Sequence, residues 1–349
     1  MKNIVLNSDE ISQYASKGIV PSIYSGDGGE WHHVIDSAFI PSPHYNWSNI
    51  VYQNAYFTAE LEYKNLPIIF HAKGKPIAVF PIALIYQNQS GKIVSNGGPI
   101  YQPMIVKSAS EREEKTVIEI CERILHDLSR RLGISVNEYQ IATTSKGIST
   151  WGAGLLQCGK VFRVGQQLDV DLSMSLEKIK STFRKSYKPL ISKGLKRWKV
   201  DVIEVGNPTP FWEYKQLHVA VAGRETRCIE SWQVQLDMLN REDAFLVTLR
   251  DESDELVGAG LFVYNSQCAL YGSAAYCRDL FSEPLGHVVQ YKAIEVMLSK
   301  GLKRYEIGFG FSEYYGATPK ECSITKFKSG FCNEVGVIMH IEKEVSTED

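Results

Sequence analysis

The stretch ELVGAGLFVYNSQCALYGSAAY, residues 255–276, decides how the chain is read. Two apolar runs flank a short polar turn, a pattern that predicts a pair of strands. Immediately downstream, PLGHVVQYKAIEVMLSKG at 284–301 has the period of a helix. Val288, Tyr291, Ile294, Met297 and Leu298 recur at three- and four-residue steps, and Gly301 supplies a helix stop. KRYEIGF at 303–309 then reads as a third strand. The same order occurs earlier in the chain. KGKPIAVFPIALIYQ (73–87) and GKIVSNGGPIYQPMIV (91–106) read as strands joined through 88–91. A charged helix, SEREEKTVIEICERILHDLSRRLG (110–133), and a short apolar run, VNEYQIAT (136–143), follow them. Strand, strand, helix, strand, written twice, predicts a duplicated α/β (α+β) architecture. Each domain would be a mixed, largely antiparallel sheet flanked by helices, spanning residues 1–165 and 166–349.

Composition sets outer bounds. A chain of 349 residues exceeds what one core usually fills, and 44% hydrophobic with 22% charged residues is ordinary globular composition. No apolar run of about 18 residues occurs and the start lacks a signal-peptide pattern, so the expectation is a cytoplasmic protein without stable membrane insertion. The seven cysteines form no C-x-x-C pair and no metal rhythm with histidine, so they are read as reduced thiols and no metal is expected. Phosphate-loop, dinucleotide-binding and nucleophile-elbow motifs are absent, which argues against kinases, Rossmann dehydrogenases and α/β-hydrolases.

Three stretches carry candidate chemistry. In TFRKSYKPLISKGLKRWKV (182–200), Arg184, Lys185, Lys188, Lys193, Lys196, Arg197 and Lys199 occur with no acid among them. A self-repelling helix face gains nothing for stability, so anion binding is expected, with Pro189 bending or dividing the helix. HVAVAGRETRCIESWQVQ (218–235) places His218, Arg224, Thr226, Arg227, Trp232 and Gln235 in one irregular segment. Its arginine forks suit phosphate or carboxylate, and a plain surface turn fits equally well. FGFSEYYGATPKECSITKFKSGF (309–331) reads as a glycine-aromatic ligand wall or as a hairpin closing the core.

Taken together, RKSYKPLISKG, the 255–276 strand pair, EPLGHVVQYKAIEVMLSKGLKRYEIGFG and ITKFKSGF resemble the FemAB-type branch of the GNAT acyltransferase superfamily. VSNGGPIYQP extends the likeness more loosely into the first half. The resemblance implies tandem GNAT-like domains and transfer of an acyl or aminoacyl group to an amine. The donor would be an acyl-CoA or an aminoacyl-tRNA. The acceptor would be a cell-envelope precursor such as an amino sugar, a nucleotide-linked sugar or a muropeptide. The usual Q/R-x-x-G-x-G/A pyrophosphate signature is not present; CRDLFSEPLG stands in its place.

On this plan, backbone N–H groups of a splayed strand polarise the donor carbonyl, and ALYGSAAY, where Gly272 permits a bulge, is the candidate strand. His287 is the first choice for handling the proton, with Tyr276, Tyr314 and Tyr315 in reserve. Arg184, Lys188, Arg224, Arg227 and Arg278 are candidates for phosphates of the donor or of a nucleotide-linked acceptor. Lys328, by likeness to the family's closing Phe-Lys element, would approach the donor's carbonyl or terminal phosphate. His218, Trp232, Gln235, Tyr291 and Lys326 complete the expected substrate-binding set. Two other readings stay open: an acetyl-CoA-dependent enzyme acting on a small metabolite, and a nucleic-acid-binding module using the basic helix 178–199. The near-neutral pI of about 6.5 argues against the last.

Overall fold

The computed structural model describes residues 7–39, 41–59, 61–87, 90–143 and 147–345; Asn88 and Gln89 of the expected 88–91 turn lie outside them. The chain divides into two compact units, residues 1–165 with 336–349, and residues 166–335.

The first unit contains α1 (Ser8–Ser12), β1 (Ile19–Ile23), α2 (Gly29–Asp36), α3 (Trp47–Thr58), β2 (Glu62–Ala72), β3 (Lys75–Gln87), β4 (Ser90–Val94), β5 (Met104–Ile105), α4 (Glu111–Leu132), β6 (Val136–Ala142) and α5 (Thr150–Cys158). Its main sheet runs β1-β2-β3-β4, with β5 paired to β3. The second strand of the expected pair is shorter than its apolar run. Asn96 and Gly97 take positive φ, so Ser95 and Gly98 bond to each other in both directions and end the strand. The amphipathic α4 buries Val117, Ile120, Cys121, Ile124, Leu125 and Leu128 in one core with Phe70 and Phe80 of the sheet.

The second unit contains α6 (Leu176–Thr182), α7 (Tyr187–Arg197), β8 (Lys199–Ile203), α8 (Thr209–Ala222), α9 (Ile229–Asn240), β9 (Ala244–Arg250), β10 (Leu256–Tyr264), β11 (Cys268–Tyr276), α10 (Leu285–Ser299), β12 (Arg304–Gly310) and α11 (Pro319–Lys328), after the long β7 (Lys160–Asp171). Its strands lie in the order β7-β12-β11-β10-β9-β8. Neighbours are antiparallel except β11 and β12, which run parallel because α10 makes the crossover between them. Alternation sorts the two faces. Phe245, Val247 and Leu249 share a core with Ile179, Tyr187 and Ile191 of α6 and α7 and with Val288 and Ile294 of α10. The intervening Leu246 and Thr248 are buried on the opposite face, the side on which α8 and α9 pack. Gly194 lets α7 and α10 approach closely, since a Cβ there would collide with Val288. The final strand β13 (Glu334–Glu344) pairs through Ile338–Glu344 with β6, and its Ile341 is buried in the first unit's core.

The doubled order holds with one addition: β3, β4, the two-residue β5, α4 and β6 in one unit, and β10, β11, α10 and β12 in the other. Three local expectations need correction. The basic helix is two helices, α6 and α7, broken at 183–186 ahead of Pro189, which sits in the first turn of α7, where no intrahelical donor is required. Residues 218–235 are not irregular throughout; they are the end of α8, a turn at 223–228 and the start of α9. The 309–331 segment is not a hairpin: after the end of β12 it is a loop with a 3-10 turn at Glu313–Tyr315, and from Pro319 to Lys328 it is the helix α11, opened by a capping box between Thr318 and Glu321.

Candidate active site

The second unit contains a place where two paired strands part. Parallel β11 and β12 are in register only from Cys268 to Leu270 against Arg304 to Glu306. Beyond Leu270, β11 continues to Tyr276 without β12 beside it. Its other edge stays on β10, with one irregularity: Phe262 pairs with Tyr271 and Leu261 with Ser273, so Gly272 is the extra, unpaired residue. A strand edge with unpaired N–H groups is the element that can polarise a carbonyl oxygen.

Next to the parting strands stands the start of α10. Its N-cap is Pro284 and no side chain caps it, so the first-turn N–H groups of Gly286 and His287 carry the positive end of a 15-residue helix without an internal anion. Gly286 adjoins Phe327 and Tyr276: a Cβ there would lie 3.1 Å from Phe327 Cζ and 3.5 Å from Tyr276 Cζ. The corresponding helix of the first unit is closed. Ser110 Oγ accepts from Glu113 N–H at 3.3 Å, and the Glu113 carboxylate accepts from Ser110 N–H at 2.8 Å, so a built-in anion holds that N-terminus.

Lys328 occupies the gap. The last turn of α11 puts its Nζ 5.7 Å from the centre of the Tyr271 ring. Its ammonium also fills the room that a side chain would need at Gly308, whose φ of 134° already favours glycine. Burial holds its pKa below that of a free lysine, and no carboxylate is among the causes that shift it. Tyr271 and Tyr276 share a hydrogen bond at 3.0 Å, and both phenols are raised by burial. Arg184 holds α11 in place. Its Nη2 donates to Lys326 O at 2.7 Å and its Nη1 to Tyr187 OH at 3.1 Å, while Tyr187 OH donates to Phe327 O at 3.0 Å. A cation on the last carbonyls of a helix satisfies groups that the helix leaves unpaired. Arg184 therefore supports the turn that carries Lys328.

His287 lies in an aromatic cage. Its ring meets Tyr187 edge-on with centres 4.4 Å apart, and Phe327 at 5.1 Å. Burial, followed by the Arg184 charge, lowers its pKa to about 4, so it is neutral at pH 7.

A second group of polar side chains lies where α8 and α9 meet β11. Tyr214 OH and Ser273 Oγ are 2.7 Å apart, Arg227 Nη1 donates to Gln235 Oε1 at 3.1 Å, and the Arg227 guanidinium lies 4.6 Å above the Trp232 ring. His218 Nδ1 is 3.3 Å from Thr226 Oγ1, and burial, then the Arg227 charge, lowers this histidine to about 4. The structure thus brings together His218, Arg227, Trp232 and Gln235. It also adds Tyr214 and Ser273, which the sequence reading missed. Ser273 could have been found from the bulge at Gly272; Tyr214 left no distinguishing signal on its helix.

The other expected residues lie apart. Arg224 is exposed in the turn after α8, and Arg278 is exposed in a 3-10 turn at 278–280. Lys188 reaches only Ser181 O, at 3.5 Å. Tyr291 is buried in the core beneath Lys180, and Tyr314 is 88% exposed. Lys326 is exposed and contributes its carbonyl, not its ammonium, to the Arg184 contact. The basic stripe is also less bare than its sequence. Glu283 pairs with Lys193 at 3.0 Å and Arg197 at 2.8 Å, and Asp254 pairs with Lys199 at 3.1 Å.

At the point where β11 and β12 separate, the buried Asp169 of β7 stands in register with the buried Glu306 of β12. Arg304 pairs with Glu306, and Cys268 Sγ is 3.6 Å from the same carboxylate. Burial, and then the Glu306 charge, push Asp169 up to about 7, and its Oδ1 has no hydrogen-bond partner among the described residues. Among the described residues no three His, Cys, Asp or Glu side chains come together in a way that could hold a metal ion.

No protein-family model and no curated protein matches the sequence. Solved structures do resemble the fold. FemX superposes with a TM-score of 0.66 at 10% identity, over 92% of this chain and 96% of its own. A tandem GNAT protein from the clavulanic acid biosynthesis pathway gives 0.52 at 12% identity, over 95% and 99%. L-PGS from Bacillus licheniformis gives 0.56 at 10% identity, over 92% of each chain. The chain has the tandem GNAT fold, in the form shared with FemX.

Proposed function

We propose that this protein is a cytoplasmic N-acyltransferase that moves an acyl or aminoacyl group onto an amine of a cell-envelope precursor, an amino sugar, nucleotide-linked sugar or muropeptide. The observation that carries this reading is the parting of β11 and β12 with the unpaired Lys328 ammonium between them. The free edge of β11 receives the donor carbonyl, so its oxygen gains hydrogen bonds as it becomes an oxyanion. Lys328 adds positive charge where negative charge develops. The neutral amine attacks the carbonyl, the bond to the donor's leaving group breaks, and the amine proton passes to water or to the leaving group. No covalent enzyme intermediate is needed. FemX and L-PGS as structural relatives make an aminoacyl donor carried by tRNA a natural candidate.

One observation favours a second donor. The uncapped start of α10 suits an anion such as the pyrophosphate of coenzyme A, which would make this an acyl-CoA enzyme acting on the same acceptors or on a small metabolite. A nucleic-acid-binding role is weakened because Glu283 and Asp254 neutralise part of the basic stripe. No helix among the described residues is long and apolar enough to cross a membrane.

The test pairs the purified protein with acetyl-CoA or charged tRNA and with amino-sugar nucleotides, and reads the mass of the acceptor. The expected result is a product heavier by one acyl or aminoacyl group. If every donor and acceptor pair returns unchanged masses, the proposal fails.

A further inference from the structure

Arg227 is a half-buried cation whose partners are all neutral. Its Nη1 donates to Gln235 Oε1 at 3.1 Å and reaches Ser273 Oγ at 3.5 Å, while its face lies on Trp232. Nη2 and Nε have no partner among the described residues. The charge acting on both Tyr214 and His218 is that of Arg227, and no carboxylate contributes at either. Trp232 Nε1, fully buried beneath the guanidinium, is also unpartnered. A half-buried cation held only by neutral groups, the Gln235 amide and the Trp232 face, keeps the side of its fork that they leave open for an anion.

We infer that Arg227 is the seat of a carboxylate on one of the two substrates. This deepens the acyltransferase reading and rests on it. The shape of the free edge selects the group: Nη2 and Nε present two parallel donors, matched to the two oxygens of a planar carboxylate. Stacking on Trp232 and the Gln235 bond fix the plane of that fork in advance. Charge selects it too. His218 is neutral at pH 7, so the seat offers one positive charge, enough for a carboxylate and half of what a phosphate monoester dianion requires. Ser273 belongs to β11 and directly follows the Gly272 bulge, so the carboxylate would be held beside the strand edge that receives the donor carbonyl.

The test is calorimetric titration of the full chain, without donor, using three sugars that share one ring. N-acetylmuramic acid carries a carboxylate, N-acetylglucosamine 1-phosphate a phosphate, and N-acetylglucosamine neither; D-glucuronate against D-glucose and D-glucose 6-phosphate repeats the comparison on a second ring. The carboxylate member of at least one set is expected to bind about tenfold or more tightly than both of its counterparts, the scale of one charge-assisted bidentate contact. Arg227→Lys, which keeps the charge and removes the fork, should erase that preference, as should Arg227→Gln, with circular dichroism confirming that each variant is folded. Equal or tighter binding of the phosphates overturns the inference. So does a carboxylate preference that survives both substitutions, or no preference in either set. Because binding is read without transfer, a protein that selects carboxylates yet acylates nothing refutes the proposed activity and leaves this seat standing.

Discussion

Two ionisable side chains in the second unit are held away from their ordinary pKa values for opposite ends. Lys328 lacks an acid partner among the described residues and, in the proposed mechanism, stands where a carbonyl oxygen gains charge. Lys328→Ala is therefore expected to lower the rate of acyl transfer about 100-fold while leaving the unfolding midpoint nearly unchanged, the usual scale for lost oxyanion stabilisation. Single-turnover kinetics beside a thermal melt would check both halves. Asp169 shows the reverse logic. Its carboxyl is raised from 3.8 to about 7 in the folded protein, so between those values the folded state binds more protons than the unfolded state. The stability this proton supplies is fully present below about pH 4 and is lost as pH rises through about 7. Asp169→Asn removes the titration, and its melting temperature should exceed that of the wild type at pH 8 by more than it does at pH 5. Of these side chains, Lys328 is singled out in the sequence by its Phe-Lys setting. Asp169 was not, because its partner Glu306 is 137 positions away and only strand register brings the two together.

Helices in corresponding places of the two units differ at their ends. α4 begins with a carboxylate of its own, and α10 begins with proline and glycine and no cap. Ser110→Ala is expected to cost about 1 kcal/mol of stability by removing a cap, measured by urea denaturation, with no loss of turnover per folded molecule. Between α7 and α10 the close approach depends on Gly194 having no side chain. Gly194→Ala should destabilise by about 1–3 kcal/mol in the same assay, since the helices must separate or Val288 must leave its rotamer. The 3.6-residue period of α4 and α10, the strand pair at 255–276 and the division of the basic helix, though not its position, could be read from the chain. The strands β7, β9 and β13 could not. β9 is buried on both faces, so its run AFLVTLR lacks the alternation that marks a half-exposed strand. α11 was hidden by its weak amphipathic pattern, although Thr318, Pro319 and Glu321 spell a helix start.

At the scale of the whole molecule, the duplication has left one unit with an open helix start, an unpaired lysine and parted strands, and the other with its helix start closed. Charge is arranged in the same spirit. The net charge of -2 conceals a basic stripe that Glu283 and Asp254 restrain from distant positions. Glu283→Gln should free Lys193 and Arg197, strengthening retention on a heparin column at low salt, with the difference vanishing as salt rises. The order in which the chain is made bears on one further feature. β13 supplies a paired strand and the buried Ile341 to the first unit, yet its paired residues Ile338–Glu344 are synthesised after every residue of the second. During translation the whole second unit is synthesised while the first still waits for its last strand. The first unit therefore completes its sheet only after the whole second unit has been synthesised, and a ribosome stalled near residue 335 would hold a nascent chain whose leading unit lacks the partner strand of β6.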